Sequence, residues 1–242
     1  MPPPPISPHF PPTQWTVLAR LAGSKEESDE ALSALCSTYW SPVYAYLRGV
    51  GEAHQDAEDL TQGFFAMLVK QDIFGRAQQE EGKLRSFLLG SLERFLANER
   101  RFQGRQKRGG GAVVLSLDHP GSPAGMEAFA ADSVTPAEAF DRAWVAVLLQ
   151  QVMQHLREQY QDAGKEEIFT VLMPWLLDTG MESQQAAAAG AGWSITNFRL
   201  QLHRLRSRYR EALHREIAAT LGDEREVAGE LAHLFQVTGR SL

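Results

Sequence analysis

Apolar residues recur at intervals of three and four along most of the chain, a period typical of amphipathic α-helices. The sequence contains no strand ladder and no internal repeat of fixed period, so the predicted fold class is all-α. The predicted helices cover residues 24–40, 55–70 and 85–102, and then 136–160, 166–177, 183–189, 194–213 and 224–235.

Helix boundaries are marked by two capping signatures and one proline. Ser24 followed by Glu27 fits a capping box, and TPAE at residues 135–138 places a cap, a first-turn proline and an acid in the expected order. Pro42 should interrupt the first helix, which can restart after it.

Composition divides the chain into two candidate domains. Residues 1–12 carry seven prolines and are expected to form a disordered tail, and the Gly- and Pro-rich residues 103–134 are expected to be a flexible linker. We therefore predict two small helical domains joined by this linker, the C-terminal one containing a helix-turn-helix. The predicted domains are residues 13–102 and 135–217, followed by a C-terminal helical extension at residues 218–242.

The overall composition is that of a globular protein. The chain has 242 residues, of which 43% are hydrophobic, enough for a buried core. A single cysteine, Cys36, excludes an internal disulfide framework and a Cys-based zinc site, and it suits a reducing cytosol. The sequence has no run of roughly 18 apolar residues and its N-terminus does not resemble a signal peptide, so we expect a cytoplasmic protein without a membrane span.

Positive charge is concentrated in two segments, although the net charge is −6. Residues 94–108 and 199–215 each hold six Lys or Arg side chains, so together they carry half of the 24 basic residues. Two basic clusters on an acidic chain predict two separate contacts with an anionic partner.

The second basic cluster lies on a long predicted helix. Phe198, Leu202 and Leu205 share its apolar stripe, and Arg199 and His203 share the adjoining face. A short alanine-rich helix and a tight turn at residues 190–192 precede it, and this order is typical of a DNA-binding helix-turn-helix. A solvated amphipathic helix of a bundle is the alternative.

The first basic cluster follows a similar pattern. Phe87, Ser91, Arg94, Asn98 and Arg101 line up at intervals of three and four, opposite an apolar arc. Aromatic and basic side chains together can bind single-stranded nucleic acid by stacking and phosphate contact. The alternative places the phenylalanine in the core and the arginines in solvent.

An acidic helix start stands out at residues 56–69. Asp59, Gln62 and Gly63 form a patch of small and polar groups beside a buried stripe, and acids in a first turn complement the helix dipole. Asp56 and Asp59 have a spacing that suits two metal ligands, but no second acidic or histidine cluster completes a site, so no metal is expected. The acids could instead meet a basic surface on a protein partner.

Three motifs together resemble an extracytoplasmic-function (ECF) type sigma factor, the two-domain promoter-recognition subunit of bacterial RNA polymerase. DAEDLTQGFF is similar to the core-binding helix of that family, and LRSFLLGSLERFLANER resembles the helix that contacts the minus-ten promoter element. AGWSITNFRLQLHRLRSRYREAL resembles the recognition helix-turn-helix for the minus-thirty-five element. The resemblance spans residues 13–108 and 136–217.

The resemblance implies functional residues and partners. Core polymerase would be bound through Asp56, Asp59, Gln62 and Gly63. The minus-ten DNA would be contacted by Arg94, Asn98, Arg101 and Arg105. The minus-thirty-five DNA would be contacted by Ser194, Thr196, Asn197, Arg199, His203 and Arg206. A loop at residues 72–84 would capture an unpaired base, the linker would thread towards the polymerase active site, and an anti-sigma factor is a candidate further partner.

Several positions depart from the family pattern. Gly63 stands where many relatives carry Glu, and Arg94 replaces a common asparagine. Thr196 and Asn197 replace a frequent Gly-Ala pair in the recognition helix, which leaves the promoter sequence open. The extension after Ile217 lies outside the pattern, and it is expected to cap the C-terminal domain by apolar packing. The packing residues would be Val227, Leu231 and Leu234.

Two other functional classes are alternatives to a sigma factor. A dimeric helix-turn-helix transcriptional regulator that does not bind core polymerase would use only the C-terminal motif, and it would leave the acidic helix without a role. An enzyme is not expected, because the chain has no G-x-S-x-G elbow, no H-E-x-x-H and no P-loop. No cofactor is expected.

Overall fold

The computed structural model describes residues 24–70, 83–106, 135–177, 181–221 and 223–238, and the regular structure within these ranges is all helical. The predicted all-α class is therefore confirmed for this part of the chain. The α-helices are α1 (Lys25–Gly49), α2 (His54–Lys70), α3 (Leu84–Gln106), α4 (Pro136–Asp162), α5 (Glu166–Leu172), α6 (Met181–Gly190), α7 (Ile195–Ala218) and α8 (Val227–Thr238). Short 3-10 turns lie at Met173–Trp175 and Glu224–Glu226. Among these helices none is long and apolar enough to cross a membrane.

Helix α1 begins where the sequence predicts and continues further than expected. The Ser24 side chain accepts a hydrogen bond from Glu27 N, and the Glu27 carboxylate accepts one from Ser24 N, so the capping box is confirmed. Pro42 lies inside the helix and does not interrupt it. Burial of Val43 and Leu47 in the following turn favours the continuous helix over the break that a proline promotes.

The predicted linker starts later than expected, because α3 continues to Gln106 and residues 103–106 are helical. The remaining linker, the Pro-rich tail at residues 1–12 and the base-capture loop up to residue 82 lie outside the described residues. At the start of α4, Thr135 N donates to the Glu138 carboxylate over 2.8 Å, and Glu138 N donates to the Thr135 hydroxyl over 3.3 Å, which confirms the second capping box.

The described residues form two compact units. The first unit contains residues 24–147 and 217–238, and the second contains residues 148–216. These limits differ from the predicted domains at residues 13–102 and 135–217, because the first half of α4 and the C-terminal extension belong to the first unit.

Small residues bring the start of α4 close to α1 within the first unit. Ala45, Ala139 and Ala143 form one buried cluster. A Cβ atom built at Gly49 would lie 3.0 Å from the Cα of Pro136, so this approach of the two backbones requires glycine. The sequence itself does not indicate whether the start of α4 packs with the helices before the linker or with those after it.

A buried ion network joins α3, α4 and α8 in the first unit. Arg85 Nη1 donates to both carboxylate oxygens of Asp141, over 2.8 and 2.9 Å, and Arg85 Nε donates to Glu230 over 3.0 Å. Lys83 Nζ donates to the other Glu230 oxygen over 2.6 Å, and His233 Nε2 lies 3.1 Å from Asp141. We call these five residues the Arg85 network.

The Arg85 network explains the state of its most buried carboxyl group. The Glu230 side chain is only 1% exposed. Burial by itself raises the pKa of Glu230, but the hydrogen bonds and charges of Lys83 and Arg85 outweigh this effect and hold its pKa below the usual range. Glu230 is therefore ionised at neutral pH, as an ion-paired group.

The C-terminal extension packs differently from our expectation. Val227 and Leu234 are buried and Leu231 is half-buried, as predicted, but they belong to the first unit. Leu84 N also donates to Thr220 O over 3.1 Å, which ties the start of α3 to the chain just after α7. Ion pairs and a backbone hydrogen bond between residues that are distant in sequence therefore hold the C-terminal extension in the first unit.

Aromatic packing organises the second unit. The Phe198 ring is fully buried, with the Trp175 ring at 6.1 Å and the Trp193 ring at 6.3 Å between centroids. Tyr160 and Phe169 lie 5.5 Å apart, which packs the end of α4 against α5. These contacts fix the second unit around the first turns of α7.

Candidate nucleic-acid interface

Helix α7 buries the predicted apolar stripe and exposes the neighbouring face. Phe198, Leu202, Leu205 and Tyr209 are buried, and Ile195 is half-buried. The exposed face carries polar and basic side chains that can contact an anionic partner. Its members are Thr196, Asn197, Arg199, His203 and Arg210.

The turn before α7 has a geometry that only some sequences allow. Gly192 has a φ of 71°, which favours glycine. Gly192 N donates to Ala189 O over 3.0 Å and Trp193 N donates to Ala188 O over 2.8 Å, the two bonds of a Schellman ending. Ser194 then caps α7, since its hydroxyl accepts from Asn197 N over 3.2 Å. Ser194 thus has a structural role in addition to any contact with DNA.

Arg206 differs from the expectation that it lies on the exposed face. It is half-buried, and its guanidinium donates to Leu176 O over 3.1 Å and to Trp175 O over 2.9 Å. These carbonyls lie at the end of the 3-10 turn, where helical partners are lacking. Arg206 therefore holds that turn to α7, and we leave it out of the proposed interface.

Arg208 is a second arginine whose position the sequence did not reveal. It is buried, and its guanidinium carbon lies 5.4 Å from the centre of the Tyr160 ring. Burial raises the pKa of the Tyr160 hydroxyl, and the charges of Arg208 and Arg204 only partly oppose this effect.

Helix α3 exposes its basic face only in its second half. Ser91 is buried and Phe87 is half-buried, so the first part of the predicted line faces inward. Arg94, Asn98 and Arg101 are exposed, and Arg94 Nε donates to Gly90 O over 2.9 Å. The side chain of Arg105 lies outside the described residues.

One exposed aromatic residue on this helix was absent from the predicted sites. Phe102 is 49% exposed. It lies near the end of α3, whose other described phenylalanine rings are buried or half-buried. Its position four residues after Asn98, on the polar face, is the pattern that could have identified it.

The acidic patch of helix α2 is exposed, and the side chains beneath it are well packed. Asp56 and Asp59 are exposed, and Gln62 and Gly63 are half-buried. A Cβ atom at Gly63 would lie 3.2 Å from the Phe95 ring, so the glycine lets α3 pack closely against α2. This packing gives a structural reason for a glycine at this position.

An aromatic core lies beneath that patch of α2. Phe64 and Phe65 are fully buried, with the Phe95 ring 5.9 Å from Phe64 and the Trp40 ring stacked 5.8 Å from Phe65. At the start of the helix, the Tyr44 hydroxyl lies 2.7 Å from His54 Nδ1. The exposed acids are thus held on a fixed surface.

The acidic groups around α2 were considered in the sequence as metal ligands and as part of a protein interface. No group of three or more His, Cys, Asp or Glu side chains in the described ranges is arranged to hold a metal ion. Glu52 pairs with Arg100 over 3.1 Å, so part of the local negative charge is balanced within the chain, and Glu58 lies 3.7 Å from His54. Burial raises the pKa of Cys36 to about 12, which keeps this thiol protonated and unreactive.

Comparison of the chain with protein-family models, with curated proteins and with solved structures gave no match.

Proposed function

We propose that the chain is a sigma factor that binds bacterial core RNA polymerase and directs promoter recognition, promoter melting and transcription initiation. The observation that carries this proposal is the presence of two exposed basic faces on two helices, α3 in the first unit and α7 in the second, together with a rigid acidic patch on α2. A protein that contacts DNA twice and a basic protein surface once would need these three surfaces.

The face of α7 suits duplex DNA. Arg199 can donate two hydrogen bonds to a guanine edge or to a phosphate, and Asn197 can read adenine or position the backbone. Thr196, Asn197 and Arg199 lie in the first turns of the helix, after a capped turn, as in recognition helices that enter the major groove.

The face of α3 suits separated strands. Arg94 and Arg101 provide charge for phosphates, and Asn98 lies between them on the same exposed side. Contacts of this kind bind single strands with little dependence on sequence. In the proposed function this helix would bind the melted minus-ten strand.

The patch on α2 suits a basic protein surface. Asp56 and Asp59 are exposed while the side chains below them pack tightly, so binding would require little rearrangement of the helix. An acidic patch would steer association with a positively charged partner.

The decisive experiment is capture of purified bacterial core RNA polymerase by the full chain in the absence of DNA. Asp59→Asn should weaken capture, because it removes a charge from the exposed patch. Glu58→Gln is the matched control, since it removes the same charge one residue away, at a side chain next to His54.

Equal binding by the natural chain and Asp59→Asn would remove the acidic patch from the interface. A chain that never binds core polymerase, yet binds duplex DNA as a dimer, would be the helix-turn-helix regulator and not a sigma factor.

A further inference from the structure

The end of α3 combines an exposed ring with hydrogen-bonding and charged groups. Phe102 is 49% exposed, and every other Phe, Tyr and Trp side chain that the structure describes in α1, α2 and α3 is buried or half-buried. A large exposed ring at the end of a basic face offers a flat apolar surface where charged side chains usually prevail.

An open pocket of about 430 Å³ lies beside this ring, and its described lining consists of Asn98, Glu99, Arg101 and Phe102. The four side chains differ in chemistry, and each suits a different part of a nucleotide. The phenyl ring can stack on a base, the amide can donate to and accept from a base edge, and the guanidinium can bind a phosphate.

Glu99 indicates which part of the nucleotide enters the pocket. A carboxylate repels a phosphate but accepts hydrogen bonds from the N–H groups of a base. Arg101, which is exposed, can hold the phosphate outside. The combination therefore favours an inserted base with its backbone at the rim.

We propose that Phe102 is the stacking platform of a binding site for one unpaired DNA base, with Asn98 and Glu99 at the base edge and Arg101 at the phosphate. This inference rests on the proposed function, since it assumes that α3 meets separated strands, and it adds a specific subsite to that surface. A base in duplex DNA would be excluded, because its faces are already stacked.

The test uses the full chain and a single-stranded DNA 12-mer that carries one 2-aminopurine, with fluorescence anisotropy for affinity and 2-aminopurine quenching for stacking. Phe102→Ala should weaken binding at least about tenfold and abolish the quenching, because loss of one stacking ring costs this much per base. Phe102→Trp should retain both. Val69→Ala is the matched control, since it removes another exposed apolar side chain from the first unit.

Unchanged affinity and quenching in Phe102→Ala would overturn the proposal, and so would a natural chain that binds the single strand neither alone nor with core polymerase. Circular dichroism should show the same thermal unfolding for the natural chain and Phe102→Ala, because the ring is exposed. Polymerase capture is measured separately. A chain that loses single-strand binding on Phe102→Ala but never captures polymerase would keep this site and lose the sigma-factor function.

Discussion

Removing the central arginine of the Arg85 network should destabilise the first unit severely. In Arg85→Met the methionine replaces the aliphatic stem but not the guanidinium, which makes three hydrogen bonds and is 13% exposed. Asp141 and Glu230, which are 5% and 1% exposed, would each lose a partner. Breaking one side of a buried ion pair costs about 3–5 kcal/mol.

The lower end of that range applies, because Glu230 would keep Lys83 and Asp141 would keep His233. We therefore expect a loss of about 3 kcal/mol. The matched control is Arg100→Met, which breaks the Arg100–Glu52 pair. That arginine is 60% exposed, so its loss should cost about 0–1 kcal/mol.

Urea unfolding of the full chain, followed by circular dichroism, measures the two changes in unfolding free energy. Amide hydrogen exchange in α3 and α8 locates them, and protection there should fall about 100-fold in Arg85→Met. If Arg85→Met and Arg100→Met differ by less than about 1 kcal/mol, the buried network does not stabilise the first unit and the reasoning fails.

Three further predictions concern single groups. Arg206→Ala should lower the stability of the second unit in urea unfolding, because its hydrogen bonds to Trp175 and Leu176 are lost, and unchanged unfolding would remove this role. Arg199→Ala should weaken duplex binding by about 1–3 kcal/mol, and unchanged duplex affinity would remove Arg199 from the interface. The lowered pKa of Glu230 means that its contribution is complete above the unfolded value of about 4.3 and is lost as the pH falls through the folded value. The loss of unfolding free energy between neutral and acid pH should therefore be smaller in Glu230→Gln than in the natural chain. Identical profiles of stability against pH in the two chains would contradict the ion pairing.

Local features of the fold could be predicted from the sequence. Both capping boxes and the turn at Gly192 were found, because each depends on residues within a few positions of one another. The apolar stripe of α7 followed from helical period alone. The unbroken helix through Pro42 could not be predicted, because burial of the neighbouring side chains decided it.

Long-range features escaped prediction. The helical period places Arg206 and Arg208 near the basic face of α7. In the structure Arg206 donates to two backbone carbonyls and Arg208 packs on a tyrosine ring, and these partners lie in other elements. Nothing near Glu230 in the sequence indicates that its partners are Lys83 and Arg85, so the extension was assigned to the wrong unit. On α3 the helical period placed Arg94, Asn98 and Arg101 outward correctly, but Ser91 is buried and Phe87 is half-buried.

The distance in sequence between Arg85 and Glu230 affects how the protein folds during synthesis. A ribosome adds about 5–20 residues per second, so the arginine emerges on the order of ten seconds before the carboxylate that it binds. Until then Asp141 is the carboxylate of this network that Arg85 can pair with, and the first unit becomes complete only when translation has delivered α8.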